Sequence, residues 1–413
     1  MGVVYKTKNS ASGDTLSFYN DGLSTTWSIE NIKNELSRSV IRPRFRLHWL
    51  NEDETVRGTL PQEDITGGSY NENYQNGQRR SLSVTLFNPT GKYTPSINGI
   101  WAGSKFSFEV GIELSDGSTM WFPKGIYVVT SASVSRSSGV LTTNMELSDK
   151  YSVLEGALGT LETTYTIQPG EVIEDVIGDI LLLSKGNGES LDPKPFIYNS
   201  AFKGKLTQAT ITKEAGGNIG EIITELATQL SAEVFYDTEG QLNFVPTNDV
   251  TDDVDKPVIY QIYDEYGDFA SNDFSFDLNG IINRVIVVGS SLNEGVCEAV
   301  AVNDDPSSPL CYQRIGYRTG SPVNDTNITS DILAQERAEY ELRQQLILKA
   351  SVNISTMFNP LLLVNNMIGV TDEFYGLQQE KFLIQSLSYS LDYSGLMSVS
   401  CTNARNLPFV IGG

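Results

Sequence analysis

The stretch Ile41-Arg42-Pro43-Arg44-Phe45-Arg46-Leu47-His48-Trp49 constrains this chain more than any other. Apolar and basic residues alternate along it without a break. Such alternation has one simple physical solution, an extended strand with one face in a core and the other turned outward. Pro43 has no backbone N–H to give to a ladder, so this part of the strand belongs at a sheet edge. The outward face carries Arg42, Arg44, Arg46 and His48 in a row, with neighbours about 7 Å apart. Like charges at that spacing repel. They are tolerable if solvated, where they also guard the edge against wrong pairing. They are useful if an acidic surface faces them across an assembly contact. Both readings stand at this point, and these four residues are the candidate assembly interface.

Period two recurs downstream. Leu82, Val84 and Leu86 alternate with Ser81, Ser83 and Thr85, and Asn88-Pro89-Thr90-Gly91 follows as a turn. Residues 106–114 alternate again, Asp116-Gly117 signals a hairpin, residues 120–130 return, and residues 134–147 read as a further hairpin around Ser138-Gly139. Residues 40–150 therefore predict an all-β region of short antiparallel strands, a barrel or a sandwich. The period then changes to that of a helix. Val172, Ile173, Val176, Ile177, Ile180 and Leu181 share one helical face, as do Ile219, Ile222, Ile223, Leu226 and Leu230. A hairpin around Asp237-Thr238-Glu239-Gly240 follows, so residues 160–265 read as mixed α/β. A second β region opens at residues 281–288. It holds a long loop at 303–327, a helix over about 330–349, and strands at 352–358, 367–371, 381–391 and 396–402. Residues 1–37 are polar, with a short helical possibility at 28–36, and read as a peripheral arm.

With 413 residues the chain exceeds one ordinary core, and 39% hydrophobic residues are enough to bury several. No apolar run of about 18 residues exists, and the first ten residues lack an apolar signal region, so neither a membrane span nor secretion is expected. Cys297, Cys311 and Cys401 form an odd set in a long chain, which predicts reduced thiols; pairing of Cys297 with Cys311 is the minor alternative. The net charge of −22 argues against gripping nucleic acid. The charge is uneven: residues 1–105 hold 12 Lys and Arg against 10 Asp and Glu, and residues 106–413 hold 17 against 41.

Catalytic chemistry finds little support. His48 is the single histidine, no G-x-S-x-G surrounds a serine, and no P-loop is present. One histidine and three scattered cysteines do not make a zinc site. Asp249, Asp252, Asp253 and Asp255 form an oxygen-rich stretch without the EF-hand glycine and glutamate, which reads as a solvated loop. Trp49 continues an apolar face and is expected in the core; Trp101 and Trp121 flank turns and are expected to be partly exposed. No cofactor or metal is expected. Carboxylates are numerous enough to keep a glycan hydrolase, or a glycan-binding tail protein, as the alternative function.

The order of segments resembles a known family. Residues 79–129 contain a strand, then Asn88-Pro89-Thr90-Gly91-Lys92-Tyr93-Thr94-Pro95, then Trp101-Ala102-Gly103-Ser104-Lys105, then Trp121-Phe122-Pro123-Lys124-Gly125-Ile126-Tyr127-Val128-Val129. The later half holds Asp304-Asp305-Pro306, Arg314-Ile315-Gly316, Asn359-Pro360, Tyr389 and Gly395-Leu396-Met397. Together they resemble the central hub proteins of phage tail baseplates, the late-control hub family of phages of Gram-positive bacteria. Asn365-Asn366-Met367 departs from the Gly-Asp commoner there. The resemblance implies a β-dominated α+β fold with two tube-like antiparallel β-barrel domains and an α/β insertion. The domains would be an arm at 1–37, a first barrel at 38–160, the insertion at 161–270, and a second barrel with a packed helix at 271–413. It implies a structural, non-enzymatic ring of three chains in the virion, assembled in the host cytoplasm. Its partners would be the tail tube or distal tail protein, the central spike or tail-lysin protein, and other baseplate proteins, with DNA passing through without specific binding. Some relatives carry a fused peptidoglycan hydrolase; the ending Leu407-Pro408-Phe409 leads us to expect none here.

Overall fold

Alternating apolar side chains build strands only where they can all reach one core, and the chain has two places where they do. In the computed structural model, the residues described are 15–20, 23–28, 34–36, 38, 41–96, 99–101, 103–186, 188–230, 232–246, 257–263, 269–276, 280–290, 296–306, 308, 310–325, 328, 330–346, 350–392 and 395–403. The chain divides into two units. The first takes residues 1–247, 355–364 and 386–398, and the second takes 248–354, 365–385 and 399–413. The acidic stretch at 249–255 lies outside the described residues.

The first unit starts with a hairpin of β1 (Thr15–Asn20) and β2 (Leu23–Ser28). The sequence reading expected no strands in this arm; of its helical stretch, residues 34–36 are helical. Next come β3 (Pro43–Leu50), β4 (Val56–Leu60), β5 (Ile65–Asn73), β6 (Arg80–Phe87), β7 (Lys105–Glu113), β8 (Thr119–Ser137) and β9 (Val140–Asp149). They pair antiparallel in the order β5-β6-β9-β8-β7-β3-β4, and residues 386–390 run antiparallel along the other side of β5. Phe45, Leu47, Tyr70, Leu82, Val84, Leu86, Phe106, Phe108, Val110, Phe122, Met145 and Leu147 point into the core and are almost fully buried. Each such aliphatic or aromatic side chain contributes about 1.5–3 kcal/mol by leaving water. The strands expected at 120–130 and from 134 are one strand, β8, bent by bulges near Lys124 and Thr130 rather than broken by a turn. At the β5–β6 crossing Gly68 has φ 137°, and a Cβ there would meet the Ser83 carbonyl oxygen at 2.0 Å, so only glycine fits.

The mixed α/β segment belongs to this same unit. It comprises β10 (Tyr165–Ile167), α1 (Ile173–Leu181), β11 (Ile197–Tyr198), β12 (Ile211–Lys213), α2 (Ile219–Leu230), β13 (Ala232–Tyr236) and β14 (Leu242–Pro246). The apolar stripes read from the sequence are the buried faces of α1 and α2 except at their ends, where Val172 and Leu230 are half-buried, and their core is continuous with Val128 and Tyr151.

The second unit contains β15 (Val258–Tyr263), β16 (Phe269–Phe276), β17 (Arg284–Val288), β18 (Glu298–Val302), β19 (Val323–Asn324), α3 (Asp331–Gln345), β20 (Ala350–Met357), β21 (Met367–Asp372), β22 (Leu377–Ser390) and β23 (Leu396–Asn403), with β20, β22 and β23 each giving some residues to the first unit. β15 runs parallel to β21, which pairs antiparallel with β22. β18, β17 and β19 form a small sheet under α3. Helix α3 packs through Ala334, Ala338 and Leu342, spaced four apart, onto Val285, Val287, Ala299 and Ala301. The fold class is thus β-dominated α+β, as the sequence led us to expect. Cys297, Cys311 and Cys401 are buried and unpaired. No helix among the described residues is long and apolar enough to cross a membrane.

Candidate assembly surface

The alternation in β3 does what its period requires. Phe45 and Leu47 are buried, and Arg44, Arg46 and His48 face outward, each partly exposed. β4 pairs with β3 only from Leu47 onward, so the segment at Pro43 has β7 on one side and no strand among the described pairings on the other. Trp49 is half-buried rather than core, stacked on Phe106 at 6.1 Å with Arg57 4.3 Å over its ring.

The basic row meets carboxylates of its own chain. Register places Arg46 directly opposite Glu109, with Nη2 2.5 Å from Oε2 and Nε donating to it at 2.7 Å. His48 Nε2 lies 3.2 Å from the same oxygen, and its Nδ1 lies 2.7 Å from Thr59 Oγ1. Arg44 reaches Glu113 at 2.5 Å, and Arg42 reaches it at 3.5 Å with 67% of its side chain exposed. Burial pushes the Glu109 carboxyl upward, but His48 and Arg46 outweigh it and hold the pKa below its ordinary value. Glu113 is also held low, chiefly by its hydrogen bond from Arg44. Two carboxylates thus face three guanidiniums, and Arg42 is the one least engaged.

Trp121 was expected to be partly exposed and is only 7% exposed. Its ring lies across Gly111, where any Cβ would come within 2.9 Å of the indole, and Arg46 caps the ring at 4.1 Å. Trp101 is 53% exposed. The signal for the Glu109 and Glu113 partners was present in the sequence as the polar positions of β7, but the pairing of β7 with β3 was not.

A second charged group escaped sequence reasoning altogether. Lys150, 1% exposed at its side chain, lies 2.7 Å from Glu54 Oε1 and 2.5 Å from Asp192 Oδ1. Lys105 adds a contact to Glu54 at 3.0 Å, and Tyr236 Oη donates to Asp192 Oδ2 at 2.8 Å. Burial raises the Glu54 pKa, and Lys150 and Lys105 more than reverse it. Nearby, Arg80 bridges Glu72 and the Tyr236 carbonyl, and Arg79 pairs with Glu233 while lying 3.7 Å over Phe235. These groups tie the β3–β9 sheet to the α/β layer. Nearly all of their polar atoms are partnered; Glu54 Oε2 accepts no hydrogen bond and has the Lys194 Nζ at 3.3 Å. Among the described residues, no cluster of three His, Cys, Asp or Glu is placed to hold a metal ion.

No protein-family model matches the sequence, and no curated protein matches it. Solved structures match the fold. The 43 kDa tail protein of prophage MuSo2 from Shewanella oneidensis aligns with a TM-score of 0.58 at 16% identity, over 88% of this chain and 98% of its own. The tail protein from Neisseria meningitidis MC58 gives 0.59 at 12% identity, over 88% and 97%. The prophage tail protein gp18 from Listeria monocytogenes EGD-e gives 0.50 at 13% identity, over 87% and 94%. The chain has the fold of these tail proteins. At such identities the likeness is one of architecture, and in this tail-protein fold the basic row sits on β3, close to one end of the first unit's strand order.

Proposed function

We propose that three copies of this chain form the central hub of a phage tail baseplate. The homotrimer is a structural ring that joins the tail tube, or a distal tail protein, to the central spike or tail-lysin protein, and it leaves a channel for DNA. The observation that carries this reading is the tail-protein fold, shared over almost the whole length of the structures it resembles. Two tube-like regions, 38–160 and 271–413, flank the insertion at 161–270, and three chains would present six such regions to a six-fold tube. A small barrel fills its own interior with side chains, so a pore has to come from a ring of them. Cyclic closure satisfies every contact of such a ring.

Charge fits the same reading. The acid excess of residues 106–413 keeps phosphate from sticking to a channel wall, where Lys and Arg would bind it. Arg42, with Arg44, Arg46 and His48 behind it, faces a neighbouring subunit. The role is structural rather than catalytic, in keeping with the tail proteins whose fold the chain shares. The place of action is the virion, after assembly in the host cytoplasm. Gold-labelled chain located by microscopy on assembled tails tests this. Label at the spike-bearing end of the tube is expected; label along the tube or on the capsid contradicts it.

A further inference from the structure

Among the described residues of the loop at 303–327, several are firmly anchored. Asn283 is fully buried, and its Nδ2 donates to the carbonyls of Leu310 at 3.0 Å and Gly316 at 2.9 Å while its Oδ1 accepts from the Arg318 N–H at 2.8 Å. Buried Asn303 donates to buried Ser308 at 3.0 Å, and the Tyr312 N–H returns to the Asn303 carbonyl. A turn of helix at Tyr312–Ile315 ends at Gly316, φ 73°. These anchors hold an outer face that is basic and aromatic. Tyr312 and Tyr317 stack with centroids 4.8 Å apart, and the Arg284 guanidinium lies 5.1 Å from the Tyr317 ring. Tyr317 is 58% exposed, and Arg314 and Arg318 are exposed beside it.

The contrast with β3 is informative. There each guanidinium finds a carboxylate within its own chain. Here no described carboxylate forms an ion pair with Arg284, Arg314 or Arg318; Arg314 donates to the Pro306 carbonyl, and the buried Arg284 Nε has no partner. Three arginines on one anchored segment, none in an ion pair with a described carboxylate, are preorganised for an anionic partner. Tyrosine and arginine on a preset surface are the residue types that dominate protein contacts.

We infer that this platform docks on the acidic surface of a second copy of the chain. The inference rests on the ring reading above. Self-association is favoured by charge complementarity, because residues 106–413 carry 41 Asp and Glu against 17 Lys and Arg. DNA is the less favoured occupant, since three arginines in a chain of net charge −22 give too few phosphate contacts to hold it.

The test is sedimentation of the purified full chain, alone and with tail partners, for wild type, Arg314→Glu/Arg318→Glu and Tyr317→Ala. The substituted side chains are exposed, and thermal melting checks that each variant folds. Both variants are expected to weaken self-association at least about tenfold, with an unchanged melting temperature. Wild-type association that both variants retain within about twofold overturns the inference and leaves the ring reading intact. Wild-type chain that never associates, with or without partners, overturns both. Binding of a short DNA strand that the arginine variant loses while self-association persists also overturns it, in favour of nucleic acid.

Discussion

Arg46 and Glu109 stand directly opposite each other on β3 and β7, with the guanidinium held between the Glu109 carboxylate and the Trp121 ring. The pair offsets one charge of an arginine row that would otherwise repel itself, with His48 sharing the same oxygen. Both side chains are mostly buried, at 22% and 12% exposure, so solvent screens the pair only in part. Glu109→Gln keeps the shape and removes the charge. It is expected to cost about 2 kcal/mol in urea unfolding. Because the Glu109 pKa is depressed in the folded chain, its contribution is present above the ordinary carboxylate pKa and disappears as pH falls through the lowered one. Wild type and variant should therefore converge in strongly acidic solution; a constant difference at all pH values would argue against the charge as the cause.

Lys150 is expected to be the most sensitive single charge in the first unit. Lys150→Met leaves Glu54 and Asp192 buried without their central cation and should cost about 3–5 kcal/mol. Adding Glu54→Gln should cost less than the sum of the single changes, because the two act through one network. Additive losses in denaturant titrations would show that the network is not coupled.

Lys124 occupies the extra position of the β8 bulge and is fully buried, with Nζ donating to the carbonyls of Pro360 at 2.9 Å and Leu362 at 3.2 Å. Burial lowers its pKa to about 8. The unfolded chain then binds more protons between about pH 8 and the ordinary lysine value near 10.4. Stability should rise with pH across that window, and fall as pH drops back through 8, by up to about 3 kcal/mol. Lys124→Met is expected to flatten this slope and to leave two carbonyls without a donor. A slope that survives the substitution would assign it to another group.

Much of the fold was legible because a strand or helix with one buried face carries its period in the local sequence. The buried faces of β3, β6, α1 and α2 follow directly from alternation or from three-and-four spacing. What escaped was set by pairing across distance. β8 was read as two strands because its bulges resemble turns locally. Trp121 was expected to be partly exposed because nothing in its neighbourhood announces that Gly111 on the adjacent strand leaves room for the ring. Glu54, Lys150 and Asp192 are far apart in sequence and each looks like an ordinary surface charge; only the packing of the α/β layer brings them together. The basic row was legible as a row, and its intrachain carboxylates were not.

Arg42 separates the two roles of that row. It is the most exposed of the arginines and the least engaged, at 3.5 Å from Glu113. Arg42→Glu should therefore change thermal stability by at most about 1 kcal/mol. If the row faces a neighbouring subunit, the same substitution should impair assembly with tail partners at physiological salt. Unimpaired assembly would leave edge protection as the role of Arg42.

The number of copies in the working particle decides whether the chain is a ring-forming hub. Mass-resolved microscopy or native mass measurement of the assembled baseplate, with the chain isotopically labelled, counts them directly. Three chains in a closed ring are expected, with interfaces above roughly 2,000 Å² in total as permanent assemblies require. One, two or four copies per tail would contradict it.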